Sequence, residues 1–297
     1  MGKRLVVGTS TGAIDFAPDR YKDLGIKIIP LCYTFKGVEY EENKVDAKSY
    51  YKELELINKV EDMPKTSMAK VKDIKDCFDT AIKDGYDEII VITVSSYVSG
   101  TYNVICNVAK EYEDKLKITV IDSKIACFLE GYLCVLAQNL VNKGVSTEDI
   151  IKEINWVQKT QQFFGISSKL EFLIYGGRLK GAKAFMGKLL QICPMIGFDR
   201  DGVLGPLMSV RTPKKALHAT CQRLLEIIGD RKSEDYILYH VHTGEHPVDM
   251  LKEIEKEYGI KCNHEDVIMT PVPASGSGPW LAGYGLSFIR REDEPLE

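Results

Sequence analysis

At 297 residues, with 39 Lys and Arg against 43 Asp and Glu and a formal net charge of -4, the chain is long enough for two well-developed cores. With no excess of positive charge, it is not read as a nucleic-acid or anionic-membrane binder, and no apolar run approaches the roughly 18 residues that a membrane span needs. Eight cysteines without a C-x-x-C pair or metal-like spacing imply reduced thiols, as expected of a cytoplasmic protein.

Met1 to Arg4 lead straight into a short strand, Leu5-Val6-Val7, rather than into the apolar core of a signal peptide. Further strands are expected at Ile26–Ile29, Glu88–Val94 and Ile118–Ile121. Helical patterns fall at 47–56, 71–83, 100–113 and 123–143. This alternation predicts a mostly parallel sheet covered by helices on both faces. Ser146-Thr147-Glu148-Asp149 starts a helix ending near Lys159, which connects to a second part of different texture. There a strand at 163–167 and a short helix at 168–175 precede a hairpin of 193–198 with 203–208 around Asp199-Arg200-Asp201-Gly202. A helix at 213–228, a strand at 236–242, a helix at 247–258 and strands near 267–270 and 284–289 complete an α+β pattern. The predicted architecture is therefore α/β in two domains: a parallel-sheet, Rossmann-like domain over 1–158 and an α+β domain over 159–297.

Three hydroxyl-rich segments attract attention. Ser95-Ser96-Tyr97-Val98-Ser99-Gly100-Thr101-Tyr102 follows the buried-type strand Ile89–Val94, where a strand turning into a helix gathers backbone N–H groups and the positive end of a helix dipole. Such a place suits a carboxylate or phosphate held without a cation. Pro64-Lys65-Thr66-Ser67 precedes a helix expected near Ala69. Read alone, it is a helix cap; read with Ser95 and Ser96, it brings a second hydroxyl toward the carboxyl ends of the strands. Ser275-Gly276-Ser277-Gly278-Pro279 reads as a loop able to place N–H groups against an anion.

Other patterns have plainer readings. Gly8-Thr9-Ser10-Thr11-Gly12 matches a nucleophile elbow, but it follows the first strand, where that motif does not belong, so it reads as a turn that can line the cleft. His240 and His242 share a strand face, with His246 and Asp249 following, yet the spacing reads as a strand whose His242 caps its end, and no metal is expected. Gly176-Gly177-Arg178 closes a helix beside a cation. The run Phe185-Met186 with Leu189, Leu190 and Ile192 is either ordinary core or one wall of a tunnel for a flexible chain.

Taken together, these segments resemble the DegV family of bacterial fatty-acid-binding proteins, whose better-studied members act as FakB-type acyl carriers. Pro64-Lys65-Thr66-Ser67 is similar to its P-x-T-S element, Ser95 to Tyr102 to S-S-x-x-S-G-T-Y, and Val120-Ile121-Asp122-Ser123 to V-I-D-S. Leu170-Glu171-Phe172-Leu173 with Gly176-Gly177-Arg178 resembles L-E-Y-L-x-x-G-G-R, and Asp201-Gly202, Arg211 and Gly278-Pro279 agree as well. The resemblance implies a long-chain fatty acid between two domains, its carboxylate held by Thr66, Ser95 and Ser96, with Ser277 and Gly278 added from the third segment. It implies a carrier and not an enzyme, without cofactor. The implied partner is an ATP-dependent fatty acid kinase that makes acyl phosphate for phospholipid synthesis, with Arg178 and Arg211 as candidate contacts for it. The chain departs from the family pattern in lacking both acids of T-D-S-T-x-D after the first strand. It also carries Gly276 where a histidine is common and Trp280 where a glycine is common. The competing readings are a serine-dependent acyl hydrolase or transferase using Ser10 or Ser95, and a binder of small phosphorylated metabolites.

Overall fold

The computed structural model describes residues 2–181, 192–291 and 294–295. In chain order the first half contains β1 (Arg4–Thr9), α1 (Asp19–Lys22), β2 (Lys27–Ile29), β3 (Cys32–Phe35), β4 (Val38–Glu41), α2 (Ala47–Glu55) and β5 (Lys65–Ser67). It continues with α3 (Val71–Lys83), β6 (Glu88–Thr93), α4 (Thr101–Ala109), β7 (Lys117–Asp122), α5 (Phe128–Asn142) and α6 (Thr147–Thr160). The second half adds β8 (Gln162–Ser167), α7 (Leu170–Tyr175), β9 (Cys193–Phe198), β10 (Leu204–Val210), α8 (Pro213–Ile228), β11 (Tyr236–His242), α9 (Glu245–Tyr258), α10 (Pro271–Ser277) and β12 (Leu281–Phe288).

The first sheet is parallel, in the order β2-β1-β6-β7. Side-chain alternation along its two central strands decides what covers each face. Leu5, Val7, Ile89 and Val91 pack with Ile74, Phe78 and Ile105 of α3 and α4. Val6, Ile90 and Ile92 pack with Leu133, Ala137, Ile150 and Ile154 of α5 and α6 on the other side. Both faces are therefore buried, which is why these strands read as continuous apolar runs.

The second sheet has the order β10-β9-β8-β12-β11, its pairings antiparallel. Its outer face, with Phe164, Ile166, Met195, Leu238 and Tyr284, rests on α8 and α9. Its inner face places Phe163, Ile196, Tyr239, Val241 and Leu281 in the same core cluster as residues of the first half. The two-domain α/β class expected from the sequence is what the chain adopts.

Four local expectations are corrected. Residues 32–35, 38–41 and 65–67 form a third, antiparallel sheet in the order β4-β3-β5, so Thr66 lies in a strand paired with Tyr33 rather than in a helix cap. The helix expected from 123 begins at Phe128. Residues 267–270 form no strand, and the third hydroxyl segment is largely helical. Pro271 at the first position of α10 presets its helical φ, and the segment closes at Gly278 with φ +82. Phe185, Met186, Leu189 and Leu190 lie outside the described residues.

Candidate functional site

A cavity of about 620 Å³ lies where the inner face of the second sheet meets the strand ends of the first half, within the size range of small-molecule sites. Buried Leu31, Val94, Phe163, Leu173, Ile196 and Leu281 line its interior. Toward solvent the lining changes to Thr66, Ser96, Ser99, Lys65 and Arg178, with Met68, Tyr97 and Tyr175 exposed around them. The buried lining is thus mainly apolar, with Thr11, Ser275 and Ser277 among it, and the more exposed lining is mainly polar.

Of the residues selected from the sequence, Thr66, Ser96, Ser277 and Arg178 meet at this cavity. The hydroxyls of Thr66 and Ser96 have no hydrogen-bond partner among the described residues, so both can donate to a guest. The Ser277 hydroxyl is already engaged with the Pro273 carbonyl four residues back (3.1 Å) and with the Met269 sulfur (3.3 Å), and it must rotate to serve a ligand. Gly278 and Arg211 are not in the lining.

Ser95 takes a different position. It is fully buried and outside the lining, and its hydroxyl donates to the Gly202 carbonyl across the two halves (2.7 Å) while accepting from the Tyr97 N–H. Through the bond to Gly202, Ser95 fastens the β9–β10 turn onto the first half. Gly202 is suited to that place: its φ is +84, and a Cβ there would lie 2.7 Å from the Ser95 hydroxyl and 2.8 Å from the Lys124 Cα. Nor do the N–H groups of the loop stay free as the strand-to-helix junction suggested. The Asp122 carboxylate accepts the Ser96 N–H (3.1 Å), and the Ser99 hydroxyl accepts the Thr101 N–H (3.3 Å). Most of the loop's backbone donors are thus engaged within the protein, and Lys65 and Arg178 bring cations to the same mouth. Arg178 donates to the Gly176 carbonyl (2.6 Å) and to Val98 across the opening (3.4 Å).

The turn after β1 is a buried polar network. Thr9 and Thr11 both donate to Glu130 of α5, Thr11 at 2.8 Å, and Thr11 also lines the cavity. Ser10 donates to Glu42 (2.5 Å) and accepts from the Leu31 N–H (2.8 Å), and the Val272 N–H donates to the other Glu42 oxygen (2.8 Å). Burial pushes the Glu42 carboxyl up to about 7, although its hydrogen bonds pull the other way, and burial likewise holds Glu130 well above the usual carboxylate range. Ser10 is thus bound to a carboxyl and Ser95 to a carbonyl, and among the described residues neither hydroxyl bonds to an imidazole. The sequence signal for Glu130 was an acid inside the apolar run Phe128-Leu129-x-Gly131-x-Leu133, which the motif reading passed over. Trp280 is not in the cavity lining; it packs on the second-half core. At Gly276 a Cβ would meet no atom within 4 Å.

The histidines do not gather. His242 bonds through Nδ1 to the Gly244 carbonyl (3.0 Å), whereas His240 turns to carboxylates of other elements. Among the described residues no helix is long and apolar enough to cross a membrane.

Residues 7–288 match the model of a family described as "Uncharacterised protein, DegV family". A DegV domain-containing protein of Staphylococcus aureus (strain N315) is 32% identical over 285 residues, covering 95% of this chain and 98% of the relative. Protein DegV of Bacillus subtilis (strain 168) is 31% identical over 239 residues, or 78% of this chain and 82% of that protein. The solved structure of Bacillus subtilis DegV, described as a fatty acid binding protein, is similar with a TM-score of 0.81 at 28% identity, covering 97% of this chain and all (100%) of that one. A fatty acid binding DegV family protein from Streptococcus agalactiae shares the fold with a TM-score of 0.86 at 22% identity, covering 98% and 100% of the two chains.

Proposed function

The chain belongs to the DegV family, and from that premise we propose that it binds a long-chain fatty acid in the inter-domain cavity. Thr66 and Ser96 hold the carboxylate, Ser277 joins them after rotation, and the acyl chain runs inward past Ile196, Leu173 and Leu281. The observation that carries this reading is a cavity of about 620 Å³ whose buried lining is mainly apolar and whose more exposed lining carries two uncommitted hydroxyls.

The energetics divide the labour. Some 14 methylenes at about 0.8 kcal/mol each supply roughly 11 kcal/mol before ordering costs, while a charge-assisted hydrogen bond adds about 1.5–3 kcal/mol. The tail sets affinity and the polar end sets direction. In the finer reading the protein is a carrier that presents the exposed carboxylate to an ATP-dependent fatty acid kinase in the cytoplasm. The exposed rim of Met68, Tyr97 and Tyr175, with Arg178, is the surface that such a partner would cover.

Native mass spectrometry of the gently purified full chain tests the ligand class: a co-purified long-chain acid is expected, and a phosphorylated metabolite in its place would reject the reading. Thr66→Ala should weaken retention of a labelled C16 or C18 acid by about 10–100-fold, the loss of one charge-assisted bond. Ile196→Trp, which fills part of the tail region, should weaken C18 binding while sparing a C8–C10 acid; equal losses for both lengths would place the tail elsewhere.

A further inference from the structure

Away from the cavity, on the outer side of the second sheet, three potential metal ligands converge from three elements. His240 projects from β11, Glu255 from α9, and Cys262 from the segment after α9. The His240 Nε2 lies 2.9 Å from a Glu255 oxygen and 3.4 Å from the Cys262 sulfur, and the three donor atoms lie within 4.8 Å of one another. Donors on an ideal tetrahedral zinc ion stand about 3.3–3.7 Å apart when bond lengths are about 2.0–2.3 Å. The His–Cys pair already has that spacing, the His–Glu pair would open by a few tenths of an ångström, and the Glu–Cys pair, within 4.8 Å, would settle to the same range.

What surrounds these donors matches what metal sites require. The other ring nitrogen of His240, Nδ1, bonds to Asp266 at 2.7 Å, and Lys252 holds the second Asp266 oxygen at 2.7 Å. A carboxylate on the far nitrogen fixes the ring and leaves Nε2 pointing at the donors, the arrangement that supports histidine ligands in zinc proteins. Tyr284 donates to the Glu255 oxygen at 2.9 Å and orients it in turn. His240 is almost fully buried and Cys262 is half-buried, so the cluster has one partly open side.

We propose that His240, Glu255 and Cys262 bind one divalent ion of the borderline-soft class, zinc above all, with a water completing the fourth position and Asp266 as the positioning residue behind His240. A thiolate–imidazole–carboxylate set favours zinc, or cobalt in its place, over calcium or magnesium, which prefer oxygen ligands alone. The ion would tie the segment after α9 to that helix and to the edge strand β11, on the face of the sheet opposite the acyl cavity, so the proposal stands independently of the fatty-acid reading.

Cobalt supplies the test. One equivalent of Co(II) added to tag-free, metal-stripped full-length protein should give a near-ultraviolet thiolate-to-cobalt charge-transfer band, saturating at one ion per chain and displaced by zinc. C262S should lose the band and bind zinc at least 10-fold more weakly. D266N should keep the band but weaken affinity by about 10–100-fold, as expected for loss of a supporting carboxylate. Far-UV circular dichroism and fatty-acid retention report whether each variant is folded. If C262S does not fold, protection decides on the wild-type chain: zinc should slow alkylation of Cys262, mapped by peptide, but not that of Cys77 or Cys106. No band in the wild type, an equal band in C262S, or unprotected Cys262 would overturn the proposal and leave a hydrogen-bonded network only.

Discussion

Gly131→Ala should destabilise the protein by about 3 kcal/mol or more, although alanine ordinarily favours a helix interior over glycine by about 1 kcal/mol. The reason lies in how α5 meets the turn after β1. A Cβ at Gly131 would fall on the carbonyl oxygen of Gly12, well inside contact distance, and would also crowd the Ile14 side chain at 3.1 Å. Neither the oxygen nor the helix backbone can yield as a flexible side chain would. If the helix retreats, Glu130 leaves Thr9 and Thr11, and Thr11 is itself part of the cavity wall. Retention of a fatty acid should therefore fall together with the denaturation midpoint. Gly205→Ala is the matched control, because a Cβ there meets no atom within 4 Å and should change stability little. Equal midpoints for wild type and Gly131→Ala would refute the close-approach argument.

Stability should also decline as pH rises between about 4.5 and 7, and Glu42→Gln should flatten that decline. Glu42 is fully buried, and its folded carboxyl sits at about 7 against an ordinary value of 4.5. A carboxyl raised on folding binds its proton more tightly in the native state. Its contribution is complete below the unfolded value and is lost as pH climbs through the folded one. The difference corresponds to about 3 kcal/mol at 1.36 kcal/mol per pH unit. Nearby Asp15 adds to the upward push on Glu42, and Glu130, raised chiefly by its own burial, works in the same direction. Glutamine keeps an oxygen for Ser10 or the Val272 N–H while carrying no charge at either pH. Urea unfolding at pH 5 and pH 8 measures the effect, and an identical slope in wild type and Glu42→Gln would remove Glu42 as its source.

The parallel sheet was legible because its strands are buried on both faces, so Ile89 to Val94 announce themselves without needing periodicity. The β9–β10 hairpin was legible through Asp201-Gly202, whose glycine indeed takes φ +84. The third sheet was not, since β3 and β5 are four and three residues long and pair across the intervening residues 36–64; nothing local marks such pairing. The 275–279 segment misled for the opposite reason. Its small, hydroxylated residues suit a loop, yet Pro271 and packing against α2 and α7 make it helical. For the site, residue type selected Thr66, Ser96 and Ser277, which line one cavity. It could not tell which hydroxyl is left over once the protein's own carbonyls are served, and that distinction separates Ser96 from Ser95.

That distinction has a mechanical side. Ser95 rivets the tip of the β9–β10 hairpin, and the same hairpin contributes Ile196, Phe198 and Leu204 to the chamber. Its neighbour by one peptide unit, Ser96, faces the chamber's entrance. Grip on a guest and cohesion between the lobes therefore share a single short stretch of backbone. By linkage, a guest that firms this joint is held more firmly by it in return, and whatever pries the lobes apart loosens the guest to the same degree.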